Sequence, residues 1–378
     1  MPRLLALLIL LLPALSRADT LAGLLSPPVS KQDHQAVCTL LHLTPAQKQS
    51  ADQLFDGYLT AFTKEAAKYN ASYRTYEAAA HEKPKDHKAD FEVFVAAFRA
   101  YVLKKIFAQH DLLADYRALL TEQQLSEDWP AVDRMMHRKL LRHLSTRTVS
   151  QWTRVNLLSL IEEAELSPAS RALIATHLAE YELALDKVLS GYHRLFWSKT
   201  DTWLDPSDDD LEKAAVDFGD PAAALNRKYS RWITELLPPD DSTKLLALIH
   251  DRAYDWLGNL SFRKSRMEAT LSRAEHLEDL TPDIRGQIAA IRRTWTNDLA
   301  EANRYIIAQT DQADAELGAM TLEAFQASVN SETGPFNRVQ TSTVARGEDI
   351  ESKLNNTLRP LLTEDQRLKV WPPQPENK

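Results

Sequence analysis

Histidine and cysteine are the residue types through which this chain could bind a transition metal. The sequence contains eleven histidines and a single cysteine, Cys38. One thiol cannot supply a cluster of thiolate ligands, and no H-E-x-x-H motif is present. The remaining candidate pairs are His81 with His87, on either side of a polar loop, and His137 with His143, on a predicted helix. No ligand geometry supports either pair, so we predict no metal site and no cofactor.

Nucleophilic catalysis has no recognisable motif either. The sequence lacks a G-x-S-x-G elbow and an S-x-x-K motif with its partner motifs. The run Asp208-Asp209-Asp210 lacks the central glycine and closing glutamate of a calcium loop, and acids suit the first turn of a helix. We predict no catalytic residue. A hydrolase whose acidic residues converge between helices stays open as an alternative.

One strip of basic residues could bind an anionic partner. It consists of Arg134, Arg138, Lys139, Arg142, Arg147 and Arg154. The chain contains no acidic residue from position 134 to position 161, so the strip could contact an anionic protein or a membrane surface. A shorter cluster, Arg263-Lys264-Arg266, lies in the next connecting segment. The competing interpretation is that both clusters pair with acidic faces of neighbouring helices.

The overall composition limits both the partner and the fold. The formal net charge is −8 at pH 7. A duplex-binding surface needs clustered positive charge, so we predict no nucleic-acid partner. Glycine accounts for 9 of the 378 residues, and the helix-forming residues Ala, Leu, Glu, Lys and Arg are abundant. This composition predicts an almost wholly helical protein.

Repeated short phrases indicate where the helices begin. In Leu43-Thr44-Pro45-Ala46-Gln47, the threonine can cap a helix, the proline suits its first position, and the glutamine can bond back to the cap. The same capping box is predicted for Thr121 with Gln124 and for Thr363 with Gln366. A leucine precedes each cap and can pack against the core. These phrases therefore predict junctions between successive helices.

The order of the phrases indicates three tandem copies of one unit. A leader phrase begins at Leu43, Leu166 and Leu280, and a double leucine closes each copy at positions 119–120, 236–237 and 361–362. Apolar residues follow each leader at alternating steps of four and three, which is heptad spacing on a long helix. The same stripe position is aromatic in every copy: Tyr58, Tyr181 and Trp295. We predict that these three residues, with Trp129 and Trp371, belong to the core.

The predicted fold is all-α, with three tandem long helical-hairpin repeats joined by connector helices in an elongated array. Polar or proline-containing breaks predict the hairpin turns near residues 81–90, 201–210 and 331–336. Residues 19–130 form the first repeat, residues 131–246 a connector and the second repeat, and residues 247–378 a connector and the third repeat. The connector helices are expected over residues 131–165 and 245–279.

The first residues are typical of a secretory signal peptide. Arg3 precedes an apolar run over residues 4–12, and Ser16-Arg17-Ala18 provides a small-residue cleavage site. We predict a signal peptide over residues 1–18 and a soluble exported protein, because no apolar run reaches the ~20 residues that cross a bilayer. A single cysteine excludes an intrachain disulfide and favours the bacterial periplasm. Three N-x-S/T triplets leave a eukaryotic secretory origin open.

The Leu-Thr-x-x-Gln phrase resembles the LTxxQ motif of small helical periplasmic stress proteins of the Spy and CpxP type. The motif is intact from Leu43, Leu120 and Leu362, and degraded from Leu166 and Leu280. The resemblance covers five residues at a time, in a chain much longer than a member of that family. It implies a periplasmic location, helical hairpins that form cradle-shaped dimers, and chaperone, envelope-stress or metal-responsive roles.

We expect a non-enzymatic exported protein that binds other proteins through a grooved helical face, as a periplasmic chaperone or stress protein would. The expected mechanism is shallow apolar contact helped by charge, because amphipathic helices that line a concave surface can bind varied partners. Two alternatives stay open. One is a structural scaffold with a single dedicated partner, and the other is an unrecognised hydrolase or metal-binding protein.

Overall fold

The computed structural model describes residues 25–82, 88–198, 209–254, 259–329 and 331–372. These residues form α-helices joined by turns and short 3-10 segments, with no β-strand among them. The predicted all-α class is therefore confirmed. No helix within these ranges has the length and apolar character needed to cross a bilayer. The predicted signal peptide lies outside the described residues.

The helices vary greatly in length. Those that precede position 165 are α1 Lys31–Leu40, α2 Pro45–Glu82, α3 Lys88–Ala118, α4 Glu122–Glu127, α5 Trp129–Arg138 and α6 Leu157–Glu163. Those that follow are α7 Pro168–Ser198, α8 Asp209–Leu236, α9 Pro239–Ala253, α10 Asn259–Glu275, α11 Pro282–Gly318, α12 Leu322–Val329, α13 Pro335–Leu358 and α14 Glu364–Val370. Short 3-10 turns occupy Lys139–His143, Trp152–Arg154 and Arg359–Leu361.

The chain divides into two compact units. Unit 1 contains the described residues of Met1–Leu140 and Leu189–Ala214, and unit 2 contains those of Leu141–Val188 and Ala215–Lys378. Helices α7 and α8 each contribute residues to both units. Each unit has apolar clusters of its own, so each is described by itself.

In unit 1, α2 and α3 pack side by side in opposite directions through aromatic rings. The ring centroids of Phe62 and Tyr101 are 6.1 Å apart, and those of Tyr69 and Tyr101 are stacked at 4.7 Å. Further along the pair, Tyr76 stacks on Phe94 at 4.9 Å. Aromatic pairs of this kind stabilise a core beyond the area that they bury. The apolar stripe predicted for α2 is confirmed as buried at Phe62 and Tyr69.

In unit 2, a buried polar network joins α7 and α8. The Tyr181 hydroxyl donates to Asn226 Oδ1 at 2.8 Å, and Asn226 Nδ2 donates to the Trp152 carbonyl oxygen at 2.6 Å. Tyr181 and Asn226 are fully buried, so these hydrogen bonds satisfy groups that water does not reach. The helices run antiparallel, because Tyr181 also contacts Tyr229 while His177, one turn earlier, contacts Trp232.

The predicted capping boxes are confirmed, and in unit 1 the two phrases also contact each other. Gln124 accepts from the Thr121 N–H at 3.0 Å, and Gln47 accepts from the Thr44 N–H at 3.0 Å. The Gln47 amide nitrogen also donates to the Leu119 carbonyl oxygen at 2.8 Å and to Gln124 Oε1 at 2.9 Å. The repeated phrase therefore caps two helices and links their ends.

The predicted connector over residues 131–165 is not one helix. Helix α5 ends at Arg138, and α6 begins at Leu157. Five of the nine residues over 145–153, between the two helices, are serine or threonine, and such side chains compete with the helix by bonding to nearby backbone. The Thr148 hydroxyl, for example, donates to the Ser150 carbonyl oxygen at 2.9 Å. The second predicted connector is also interrupted, since α9 ends at Ala253 and α10 begins at Asn259.

The third predicted hairpin differs from a simple pair of helices. Helix α11 ends at Gly318, well before the expected turn at residues 331–336, and the short helix α12 precedes α13. Thr321 provides a new cap, because its hydroxyl accepts from the Ala324 N–H at 3.2 Å. The sequence signal for the start of α12 is therefore the capping threonine Thr321.

Candidate functional site

The structure places the six residues of the basic strip on several elements. Arg134 and Arg138 belong to α5, Lys139 and Arg142 to the 3-10 turn after it, and Arg147 and Arg154 to the segment before α6. The boundary between the two units falls after Leu140 and divides the strip into two groups of three. The strip is therefore not one face of a single helix.

Lys139 and Arg147 of the strip, and Arg263 of the second cluster, are engaged by acidic residues of their own unit. Lys139 forms an ion pair with Asp33. Arg147 Nε donates to Asp220 Oδ2 at 2.9 Å, and in the second cluster Arg263 Nη1 lies 2.8 Å from Glu351 Oε2. At these three positions the contacts agree with the interpretation that the basic residues pair with acidic residues of neighbouring helices.

The predicted histidine and acidic groups are dispersed or lie outside the described residues. His81 is exposed at the end of α2, whereas His87 and Asp208 lie outside the described ranges. The His137 ring lies 4.8 Å from His193, beside a cavity of about 480 Å³ in unit 1. The predicted core aromatics are confirmed at Tyr58, Tyr181, Trp295 and Trp129, which are all buried, while Trp371 is partly buried.

A group of polar side chains that was not predicted from the sequence lies in unit 1. We call His34, Cys38, Asp52 and Tyr116 the polar cluster. His34 and Cys38 are one turn apart on α1, so both side chains lie on the same face of that helix. Asp52 comes from α2 and Tyr116 from α3. A capping box at Ser30 fixes the start of α1 and so holds this face in place.

His34 lies at the centre of the polar cluster and is 5% exposed. Its Nδ1 is 2.7 Å from the Tyr116 hydroxyl, and its Nε2 is 2.8 Å from Asp52 Oδ1. Phe55 stacks on the ring, with centroids 4.4 Å apart and planes within 5°. A carboxylate accepts hydrogen bonds, so in the neutral ring Nε2–H donates to Asp52 and Nδ1 accepts from Tyr116. The ring therefore has a fixed orientation and a defined tautomer.

Cys38 is 9% exposed, and its sulfur lies against the His34 ring. The Sγ atom is 3.7 Å from Nδ1 and 3.8 Å from Nε2, so it points along the lone-pair direction of neither nitrogen. Burial raises the pKa of the Cys38 thiol. A cysteine nucleophile needs an in-plane base and a lowered pKa. This arrangement is therefore unsuited to nucleophilic catalysis.

Asp52 connects the polar cluster to solvent. Its side chain is 45% exposed, and Lys48 Nζ donates to it at 2.8 Å. The hydrogen bonds from Lys48 and His34 lower the pKa of the Asp52 carboxyl. An open groove of about 680 Å³ lies beside these residues, with His34, Cys38 and Asp52 in its wall. A small ligand could reach all three side chains through this groove.

The polar cluster combines a nitrogen, a sulfur and an oxygen donor. These donor atoms of His34, Cys38 and Asp52 all lie within 4.8 Å of one another. Borderline divalent cations such as Zn²⁺ accept this donor set. The sequence did contain a signal, since a histidine four residues before a cysteine on one helix is a chelating spacing. The contribution of Asp52 from another helix had no signal in sequence.

A second candidate site in unit 2 combines three exposed apolar side chains with one partly exposed histidine. We call Leu173, His177, Trp232 and Leu236 the apolar patch. The rings of His177 and Trp232 are 5.7 Å apart, and Leu173 and Leu236 each lie one helical turn away on α7 and α8. Because the two helices are antiparallel, the four residues share one surface. Leu173, Trp232 and Leu236 are 58%, 39% and 45% exposed.

A cationic group lies beside the apolar patch. Lys228 Nζ lies over the Trp232 ring, 4.4 Å from its centroid. Such a contact keeps a positive charge next to an exposed aromatic surface. The patch could therefore bind an apolar group that carries a nearby negative charge.

Comparison of the chain with protein-family models, with curated proteins and with solved structures found no match.

Proposed function

We propose that this chain is an exported, non-enzymatic protein of three helical-hairpin copies that binds apolar segments of other proteins through the apolar patch. The observation that carries the proposal is the exposure of Leu173 and Trp232 in one copy. Leu173 is counted from the start of its leader phrase, and Trp232 from the double leucine that closes its copy. The equivalent residues are Ser50 and Asp115 in the first copy, and Gln287 and Thr357 in the third. Exposed apolar side chains where related positions are polar are typical of a binding surface.

Equivalent contacts support the proposal of repeated copies. The fifth residues of the two phrases meet in the first copy, where Gln47 bonds Gln124. The corresponding residues of the second copy also meet, since the Ser170 hydroxyl donates to Asp241 Oδ2 at 2.6 Å. Different side chains thus make the same link at matching positions.

The short helices before the leaders support the same proposal. Before the first leader the buried residues are His34, Val37, Cys38 and Leu41, and before the second leader they are Leu157, Leu160, Ile161 and Ala164. Both sets have the same spacing and the same distance from the following leader. An export signal over residues 1–18 remains part of the proposal, and it rests on the apolar run and the small-residue triplet.

The occupant of the apolar patch is proposed to be an exposed apolar segment of a partially unfolded protein. A shallow surface with two leucines and a tryptophan can contact many apolar sequences without a matching shape. The neighbouring Lys228 favours segments with an acidic residue. The competing scaffold function would instead require one dedicated partner.

Light scattering from an unfolding client protein tests the proposed function. The mature chain should suppress scattering at near-equal stoichiometry, and a Leu173→Gln/Trp232→Thr variant, which copies the third repeat, should lose most of that effect. Val93→Gln is the matched control, because Val93 is an exposed apolar residue of unit 1. No suppression by the wild-type chain at any ratio would reject the chaperone function and favour the scaffold.

A further inference from the structure

We propose that the polar cluster is a binding site for a borderline divalent transition-metal ion, with Zn²⁺ as the best match, and that His34, Cys38 and Asp52 are its ligands. The site lies in unit 1 and is separate from the apolar patch. The proposal rests on the positions of the three donor atoms and on the groove that leads to them.

The three donor atoms can bind one ion once the Cys38 side chain turns from its present position, 3.7 Å from Nδ1 and 3.8 Å from Nε2 of His34, toward the Nε2 side of the ring. Zinc bonds are about 2.0–2.1 Å to nitrogen and oxygen and about 2.3 Å to sulfur, so ligand atoms around one tetrahedral ion lie roughly 3.3–3.6 Å apart. Cys38 Sγ is already 3.8 Å from His34 Nε2, and Nε2 is 2.8 Å from Asp52 Oδ1. The ion would replace the hydrogen bond between His34 and Asp52, which opens by a few tenths of an ångström.

Binding the ion requires a defined movement of protons. The His34 proton moves from Nε2 to Nδ1, where it is donated to the Tyr116 hydroxyl, and the lone pair of Nε2 faces the ion. The Cys38 thiol proton is released to solvent, because the thiolate is the metal ligand. Tyr116 is thus a positioning residue that holds the other nitrogen of the ring, as outer-shell partners of metal-bound histidines commonly do.

The polar cluster is not needed to build the hairpin. In the second copy, the positions of His34, Cys38 and Tyr116 are taken by Leu157, Ile161 and Ile233, which are all buried. The position of Asp52 is taken by Ala175. This comparison relies on the proposed repeat. An apolar set therefore packs the same junction, and the polar set in the first copy indicates a ligand-binding role.

The site also leaves one coordination position open toward the groove. Three protein ligands with an accessible fourth position allow a water molecule or an outside ligand to complete a tetrahedral site. The half-exposed Asp52 and its partner Lys48 lie at the groove. The single thiolate and the imidazole disfavour Mg²⁺ and Ca²⁺, which prefer oxygen ligands.

Titration of the metal-free mature chain with Co²⁺ tests the proposal. Co²⁺ should bind at one equivalent and produce a thiolate-to-cobalt charge-transfer absorption, which Zn²⁺ then removes by displacement. Zn²⁺ should also raise the thermal midpoint of unfolding. Cys38→Ser should abolish the absorption, and Tyr116→Phe should keep it with an affinity about 10- to 100-fold weaker.

Two further variants separate loss of the ligands from loss of the fold. His34→Leu/Cys38→Ile copies the second repeat, so it should keep wild-type helicity by circular dichroism and bind no Co²⁺. His276→Gln changes an exposed histidine of unit 2 and should leave the titration unchanged. The proposal is overturned if the wild-type chain gives no charge-transfer absorption, or if Cys38→Ser retains it. Loss of client binding in the light-scattering assay would leave this result untouched, because the two sites share no residue.

Discussion

At the scale of single residues, Asp314 of α11 is the most constrained carboxylate that the structure describes in unit 2. It accepts from the Val149 N–H at 2.6 Å and from the Ser150 N–H at 3.1 Å, and it also bonds the Ser150 hydroxyl. Arg227 Nη2 lies 2.8 Å away. The side chain of Asp314 is 1% exposed, so these donors replace water completely. One side chain therefore ties the irregular segment around Val149 to a long helix.

Replacement of Asp314 by alanine should lower the free energy of unfolding of unit 2 by about 2–4 kcal/mol. The physical reason is that two backbone N–H groups, a hydroxyl and part of a guanidinium lose their acceptor. Urea unfolding followed by circular dichroism measures the change. Asp349→Ala is the matched control, because its ion pair with Lys353 is half-exposed and should change stability by less than about 0.5 kcal/mol. Equal effects of the two substitutions would contradict this account.

His193 should make the stability of unit 1 depend on pH. Burial, together with His137 and His110, lowers the pKa of His193 to about 4, and its Nε2 accepts from Trp197 Nε1–H at 2.6 Å. The unfolded chain, with an ordinary histidine pKa near 6.5, binds this proton first as the pH falls. Stability should therefore be complete above about pH 6.5 and decrease as the pH falls toward about 4.

Thermal unfolding of wild type and His193→Gln across this pH range checks the prediction. The variant should lose less stability than wild type between neutral pH and pH 4, because glutamine does not titrate. His177→Gln is a suitable control, since His177 lies in unit 2 and is partly exposed. Parallel pH profiles for wild type and His193→Gln would contradict the assigned role.

At the scale of helices, the contact between Gln47 and Gln124, which joins the two capping phrases of unit 1, should stabilise the unit cooperatively. Gln47→Ala removes a capping acceptor and the bonds to Leu119 and Gln124, which predicts a loss of about 1–2 kcal/mol. A double-mutant cycle with Gln124→Ala should give a coupling energy of about 0.5 kcal/mol or more. Gln123→Ala, at the exposed neighbouring position, should be nearly neutral. Strictly additive effects at Gln47 and Gln124 would show that the phrases act separately.

The sequence predicted helix starts better than helix connections. A capping box is local, so Thr44, Thr121 and Thr363 could be recognised without knowledge of the fold. The segment over residues 145–151 could not be placed in this way, because its conformation depends on contacts far along the chain. Gly219 of α8 is one such contact, since a Cβ atom there would lie 1.8 Å from the Ser145 carbonyl oxygen. The glycine therefore allows the irregular segment to approach the helix.

For the polar cluster too, contacts between residues far apart in the sequence could not be predicted. The spacing of His34 and Cys38 can be seen in the sequence, but Asp52 and Tyr116 join them only through packing of α2 and α3 against α1. The basic strip illustrates the opposite case. Its sequence is conspicuous, yet Lys139 and Arg147 bond to acidic side chains of their own units.

At the scale of the whole molecule, the proposed copies share contacts but differ in chemistry. The first has the polar cluster, where the second has the buried residues Leu157, Ile161 and Ile233. The second has the apolar patch, where the others have polar residues at the positions of Leu173 and Trp232. In the proposed repeat, one scaffold carries a different binding surface in the first copy and in the second. The central claim of our proposal is that the apolar patch of the second copy binds other proteins.

Site-specific photo-crosslinking to an unfolding client tests the central claim most directly. A photoreactive amino acid would replace Leu236 of the apolar patch, or Lys353 on α13 as an exposed control in the same unit. We predict client adducts from position 236 and few from position 353, with the adducts reduced when Leu173→Gln/Trp232→Thr is added. Equal adducts from both positions, or suppression of client aggregation without adducts at position 236, would contradict the claim that this patch binds other proteins.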